Sequence, residues 1–100
     1  MAKIDALKIK QDRGQIMINL NMYYPYKVML KTLYRTVCND PTYDKTLFQR
    51  DIVLLGQLGF LELTRNLLDE STDWWMQFAL LTGEGKQIAE GTKTHEALEI

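Results

Sequence analysis

One cysteine in a hundred residues, Cys38, excludes an internal disulfide and any thiolate-rich zinc cluster within one chain. One histidine, His95, and one serine, Ser71, leave little material for nucleophilic catalysis. A triad would need the segment around His95 to fold back onto Ser71 or Cys38. Apolar runs are only a few residues long, so none is expected to span a membrane. The opening residues Met1-Ala2-Lys3-Ile4-Asp5 lack the apolar core of a secretory signal, and a cytoplasmic location is the expectation. Glycine is sparse, and the pair in Gly83-Glu84-Gly85 lacks the third glycine of a dinucleotide fingerprint and the Gly-Lys-Ser/Thr of a phosphate loop. Asp69, Glu70 and Asp73 cluster without the spacing of a calcium loop and read as a solvated acidic tip. No metal, cofactor, small-molecule substrate or enzymatic activity is therefore expected.

Net charge is also nearly absent, at -1, but it is unevenly spread. Residues 1–50 hold nine Lys or Arg against four acids, a balance of +5, while residues 51–100 hold three against nine, a balance of -6. A basic half can bind a polyanion through its local field, or the two halves can simply attract each other.

What is present is a run of helix signals followed by strand signals. Residues 2–23 carry both an alternating and a helical apolar pattern; we take them as helix, bent or interrupted near Gly14. Pro25 suits a first helical turn, and Tyr26, Met29, Leu30, Leu33, Tyr34 and Val37 repeat at helical spacing, which predicts a second helix over 25–38. A third helix is expected within 43–59. Its apolar arc holds Leu47, Phe48, Ile52, Leu54, Leu55 and Leu58; its other arc holds Thr46, Gln49, Arg50, Val53, Gly56 and Gln57. Asp51 falls on the apolar arc, where a lone charge is costly, so it should have a hydrogen-bonding partner. Gly59 can supply the left-handed conformation that stops the helix. Residues 60–65 then alternate as a strand, residues 66–73 form a loop, and Trp74, Met76, Phe78 and Leu80 line one face of a second strand. Thr82 is the expected N-cap of a closing helix that Gly91 ends, and residues 92–100 read as a flexible tail.

Among residues that could carry function, Lys27, Lys31 and Arg35 stand at successive i+4 steps on the predicted second helix, a row suited to successive phosphates or to plain solvation. On the third helix, Gln49 can pair with adenine and Arg50 with guanine or phosphate. Thr46 and Lys45 lie near the helix start, where groove contacts concentrate, Gln57 shares the arc of Gln49, and Arg65 lies near the loop. Trp74 and Trp75 offer indole faces to unpaired bases, although packing in a core or dimer is the plainer use of adjacent aromatics.

The run Arg50-Asp51-Ile52-Val53-Leu54-Leu55-Gly56-Gln57-Leu58-Gly59-Phe60-Leu61, with Leu80-Leu81-Thr82-Gly83-Glu84-Gly85-Lys86-Gln87-Ile88-Ala89-Glu90-Gly91, resembles the small winged-helix proteins of Mu-like prophages, which are described as ArsR-like regulators. The resemblance covers residues 12–91, and it implies a structural polar contact for an aspartate within the third helix. Metal sensing through cysteine pairs does not carry over to a chain with Cys38 alone. The expectation is an α+β winged helix-turn-helix domain over 1–91 with three helices, a two-stranded wing and a short closing helix. It would bind double-stranded DNA as a prophage transcription regulator or accessory factor, with a homodimer as the natural assembly. The alternative is an interaction module that uses the same fold to dimerise or to hold another phage protein.

Overall fold

The computed structural model describes residues 2–38, 41–64 and 73–100, the first four of them by backbone alone. Four helices pack on one three-stranded antiparallel sheet. In chain order the elements are α1 (Ala2–Tyr23), β1 (Val28–Met29), α2 (Leu30–Val37), α3 (Lys45–Gln57), β2 (Leu61–Thr64), β3 (Phe78–Leu81) and α4 (Gly83–Ala89). A 3-10 turn over Trp74–Met76 precedes β3. The central strand is β3, flanked by β1 and β2, with Val28 opposite Ala79 and Leu63 opposite Ala79 from the other side. No helix is long and apolar enough to cross a membrane among the described residues.

The core forms where the helical stripes meet the sheet. Ile16, Met17 and Leu20 from α1, Leu30 and Leu33 from α2, and Phe48, Ile52 and Leu55 from α3 close on Leu61, Ala79 and Leu81. The two arcs expected of α3 are borne out, with Thr46, Gln49, Arg50, Val53 and Gln57 exposed. Asp44 caps the helix by accepting from the Leu47 amide at 2.9 Å. Gly59, at φ 82°, ends it as expected, and the Phe60 amide closes back onto the Leu55 carbonyl at 3.0 Å.

The run Leu81-Thr82-Gly83-Glu84-Gly85 has a local explanation. Thr82 accepts from the Gly85 amide (3.0 Å) and donates its hydroxyl to the Gly59 carbonyl (2.6 Å), so one side chain caps α4 and pins the end of α3. A Cβ at Gly85 would overlap the Phe60 carbonyl; the glycine is what lets α4 sit on the entry to β2. Gly91 ends the helix region with φ 79°.

Four expectations are corrected. The first helix runs unbroken through Gly14, whose missing side chain admits the backbone of Glu99. The second helix begins at Leu30, not near Pro25: Val28–Met29 pairs with β3, and the Leu30 amide donates to the Gln77 carbonyl at 2.8 Å. Trp74–Met76 is a 3-10 turn capped by Asp73, which accepts from the Trp75 amide at 3.0 Å, so the second hairpin strand starts at Phe78 and buries Ala79 and Leu81 rather than Phe78 and Leu80. Finally, the expected tail lies against the body. Leu98 is buried, the Glu99 amide donates to the Lys10 carbonyl (3.0 Å), and His95 meets Phe60 edge-on at 5.3 Å.

Candidate nucleic-acid interface

Two clusters of charge flank α3. The first is buried. Asp51 has no exposed surface, and its carboxylate accepts from Arg13 Nε (3.0 Å), from the Tyr43 hydroxyl (2.9 Å) and from the Arg50 guanidinium (3.2 and 3.3 Å). Arg13 also donates to the Ala97 carbonyl at 3.0 Å, so this one cation links α1, α3 and the C-terminal segment. The partner expected for Asp51 is therefore present several times over. Burial, then the Asp51 charge and hydrogen bond, push the Tyr43 phenol above its ordinary range and keep it a donor.

The second cluster faces water. Lys31 and Arg35 from α2 and Lys45 from α3 line a recess of about 250 Å³ together with Tyr34, Asp73 and Trp75. Its aromatic wall is closely packed: Phe48 stacks on Trp75 (5.8 Å, 12° between planes), while Tyr34 and Trp74 make edge-to-face contacts with the indole at 5.5 and 4.9 Å. The Lys45 ammonium stands 5.5 Å over the Trp75 ring. The Tyr34 hydroxyl is pushed above its usual value, first by its hydrogen bond with the Cys38 thiol and then by burial. Among the described residues no carboxylate forms an ion pair with Lys31, Arg35 or Lys45. Asp73 and Asp44 are nearby, but each commits an oxygen to capping a backbone amide.

The residues singled out from the sequence thus divide. Lys31, Arg35 and Lys45 converge, and Thr46, Gln49 and Gln57 remain exposed along α3. Arg50 is turned toward Asp51 and lines a separate recess with Lys8, Asp12 and Thr42. Lys27 leaves the row, because its position lies before β1 and outside any helix; its ammonium sits 5.3 Å from the Phe78 ring centroid. Arg65 lies outside the described residues, as does the loop over 66–72. Sequence reading did not foresee Tyr34 and Asp73 as members of the recess. Asp73 could have been found from its place two residues before Trp75, the spacing of a side-chain cap onto a following turn. Trp74 and Trp75 are both half-buried, and Trp74 does not join a strand face with Phe78 and Leu80, because a 3-10 turn does not alternate.

Among the described residues no group of three or more His, Cys, Asp or Glu side chains could hold a metal ion. Compared with family models, with curated proteins and with solved structures, the chain matches none.

Proposed function

We propose that this chain is a winged helix-turn-helix protein that binds duplex DNA without catalysing a reaction, in the manner of a prophage regulator or accessory factor. The observation that carries the reading is the exposed polar arc of α3 beside Lys31, Arg35 and Lys45, cations with no ion-pair partner among the described residues. In this reading α3 enters the major groove and Gln49, with Thr46 and Gln57, meets base edges, while the three cations take phosphates. The order of α2, α3, β2 and β3, with β1 completing the sheet on β3, supports the winged-helix assignment. So does the buried contact at Asp51, which the family resemblance implies for an aspartate within that helix.

The direct test is binding in about 50 mM salt to random duplex and to duplex from the gene's own neighbourhood, where phosphate contacts are strongest. We expect both to bind, and Gln49→Ala to reduce discrimination between them while leaving affinity for random duplex unchanged. Absence of binding to either at tens of micromolar, a range in which non-specific binders already associate, would remove the DNA reading.

A second reading, an interaction module, is favoured by one observation. An open groove of about 520 Å³ runs between α3 and β2 along Val53, Gly56, Leu61 and Leu63, and Val53 is exposed within it. If duplex fails to bind and sedimentation shows self-association in the micromolar range, this second reading replaces the first.

A further inference from the structure

The recess between α2, α3 and the tryptophan turn has a chemistry that clamping a duplex phosphate does not call for. A phosphate on the outside of a duplex meets the ends of exposed lysines and needs neither concavity nor an aromatic wall. Here the volume is about 250 Å³, many times the roughly 30 Å³ that a water molecule occupies in the liquid, and slightly below the range of whole-ligand pockets. It suits a fragment the size of one nucleotide. We propose that this recess takes one unpaired nucleotide, its phosphate held by Lys31, Arg35 and Lys45 and its base laid against Trp75 and Tyr34, so that the protein prefers duplex carrying a single-stranded overhang to blunt duplex. The proposal rests on the reading of this face as a nucleic-acid surface and adds to it a class of substrate.

Three features support it. The cations come from two different helices, Lys31 and Arg35 on successive turns of α2 and Lys45 on the first turn of α3, and they converge on one hollow. The indole packs against Phe48, stacked on it, and against Tyr34 and Trp74 in edge-to-face contacts, so a base would meet a surface already held by its neighbours and with little freedom to lose on binding. Lys45 already stands over that indole on a flexible four-carbon stem, and it can swing to a phosphate as a base takes its place. Asp73 is the one carboxylate among the described lining residues; its capping bond to the Trp75 amide holds it at the edge of the turn, and three cations outweigh it.

The experiment uses the full chain and three labelled probes: a blunt hairpin duplex, the same duplex with a short oligothymidine overhang, and free oligothymidine. Affinity is read by anisotropy and stacking by tryptophan quenching. We expect the overhang to raise affinity at least about fivefold over blunt duplex, with quenching that the blunt probe does not produce. Trp75→Phe should lower the quenching, and the double variant Lys31→Ala/Arg35→Ala should cancel most of the overhang's advantage. Equal affinity for blunt and overhang probes would overturn the proposal while leaving the duplex reading in place, as would an overhang advantage untouched by both variants. Binding of free oligothymidine with quenching, but not of blunt duplex, would uphold the recess and sink the duplex reading. Failure of all three probes would remove both.

Discussion

Arg13 and Arg50 meet a carboxylate that touches no water, whereas Lys31, Arg35 and Lys45 meet none among the described residues. Both groups draw on the basic first half of the sequence, yet they serve different ends. At Asp51 the charge is neutralised inside the molecule: one carboxylate binds α1, α3 and, through Arg13, the C-terminal segment, and its desolvation is offset by four donors from three side chains. At the recess the charge is left open to water, and only aromatic packing fixes its geometry. Cations that hold the fold are thereby distinct from cations free to meet a ligand, a distinction that net charge alone conceals.

The largest effect should follow from breaking the buried side. Asp51→Ala strands Arg13 and the Tyr43 hydroxyl beside an apolar core, and we expect a loss of about 3–5 kcal/mol in chemical denaturation, a large part of what a domain of this size has to lose. An unchanged midpoint would mean that the carboxylate is solvated and that the two regions do not differ as described. Next in size is Gly14→Ala. The added methyl meets the Glu99 backbone, so the C-terminal segment must lift from α1 next to the Arg13–Ala97 bond, at a cost of about 2 kcal/mol. Hydrogen exchange at the Glu99 amide, which now donates to the Lys10 carbonyl, would report whether docking or α1 itself has given way.

Much of α3 and its ends was legible in the sequence, because the signals are local. The apolar arc, the Gly59 stop and the Thr82 cap each act within a few residues. What escaped depends on residues far apart in the chain. Val28 and Met29 carry a helical apolar pattern, but β3 offers their backbone a partner, and tertiary pairing overrides the periodicity and takes Lys27 out of the row. Residues 92–100 have no periodicity to read, and their docking is made by backbone against Gly14 and by Leu98 in the core. At the candidate site, Lys31, Arg35 and Lys45 could each be chosen as exposed cations from their spacing. That they surround Trp75 is a property of how α2, α3 and the tryptophan turn pack, which spacing along one helix does not contain.

Tyr43 carries the contrast between the two clusters into pH. Its phenol is held protonated beside Asp51, so its folded-state pKa lies above the ordinary value near 10. The sign follows directly: below about pH 10 the tyrosine is protonated in both states and its contribution is fully present, whereas above it only the unfolded chain releases the proton readily. Stability should therefore fall as pH rises past about 10, by at most about 1.4 kcal/mol per pH unit from this group. Tyr43→Phe should cost about 1.5 kcal/mol at neutral pH through the missing bond to a charged acceptor, and it should make that alkaline decline shallower. An unaltered alkaline slope in the variant would detach Tyr43 from the buried cluster.

The smallest effect on stability belongs to the recess, where the water-facing cations are put to the test. Lys31 and Arg35 are exposed on α2 with no ion-pair partner among the described residues, so the double variant Lys31→Ala/Arg35→Ala should change unfolding free energy by no more than about 0.5 kcal/mol. Alanine suits a helix interior and can even offset the removal of the longer side chains. If the fold does not use these cations, their removal must show in binding instead. On duplex the log-log salt slope should flatten by about 0.9 for each phosphate that is no longer neutralised, up to about 1.8 for the pair, uniformly across sequences. A variant that keeps the wild-type slope but unfolds far more easily would reverse the assignment, making Lys31 and Arg35 structural and leaving the exposed arc of α3 without its phosphate partners.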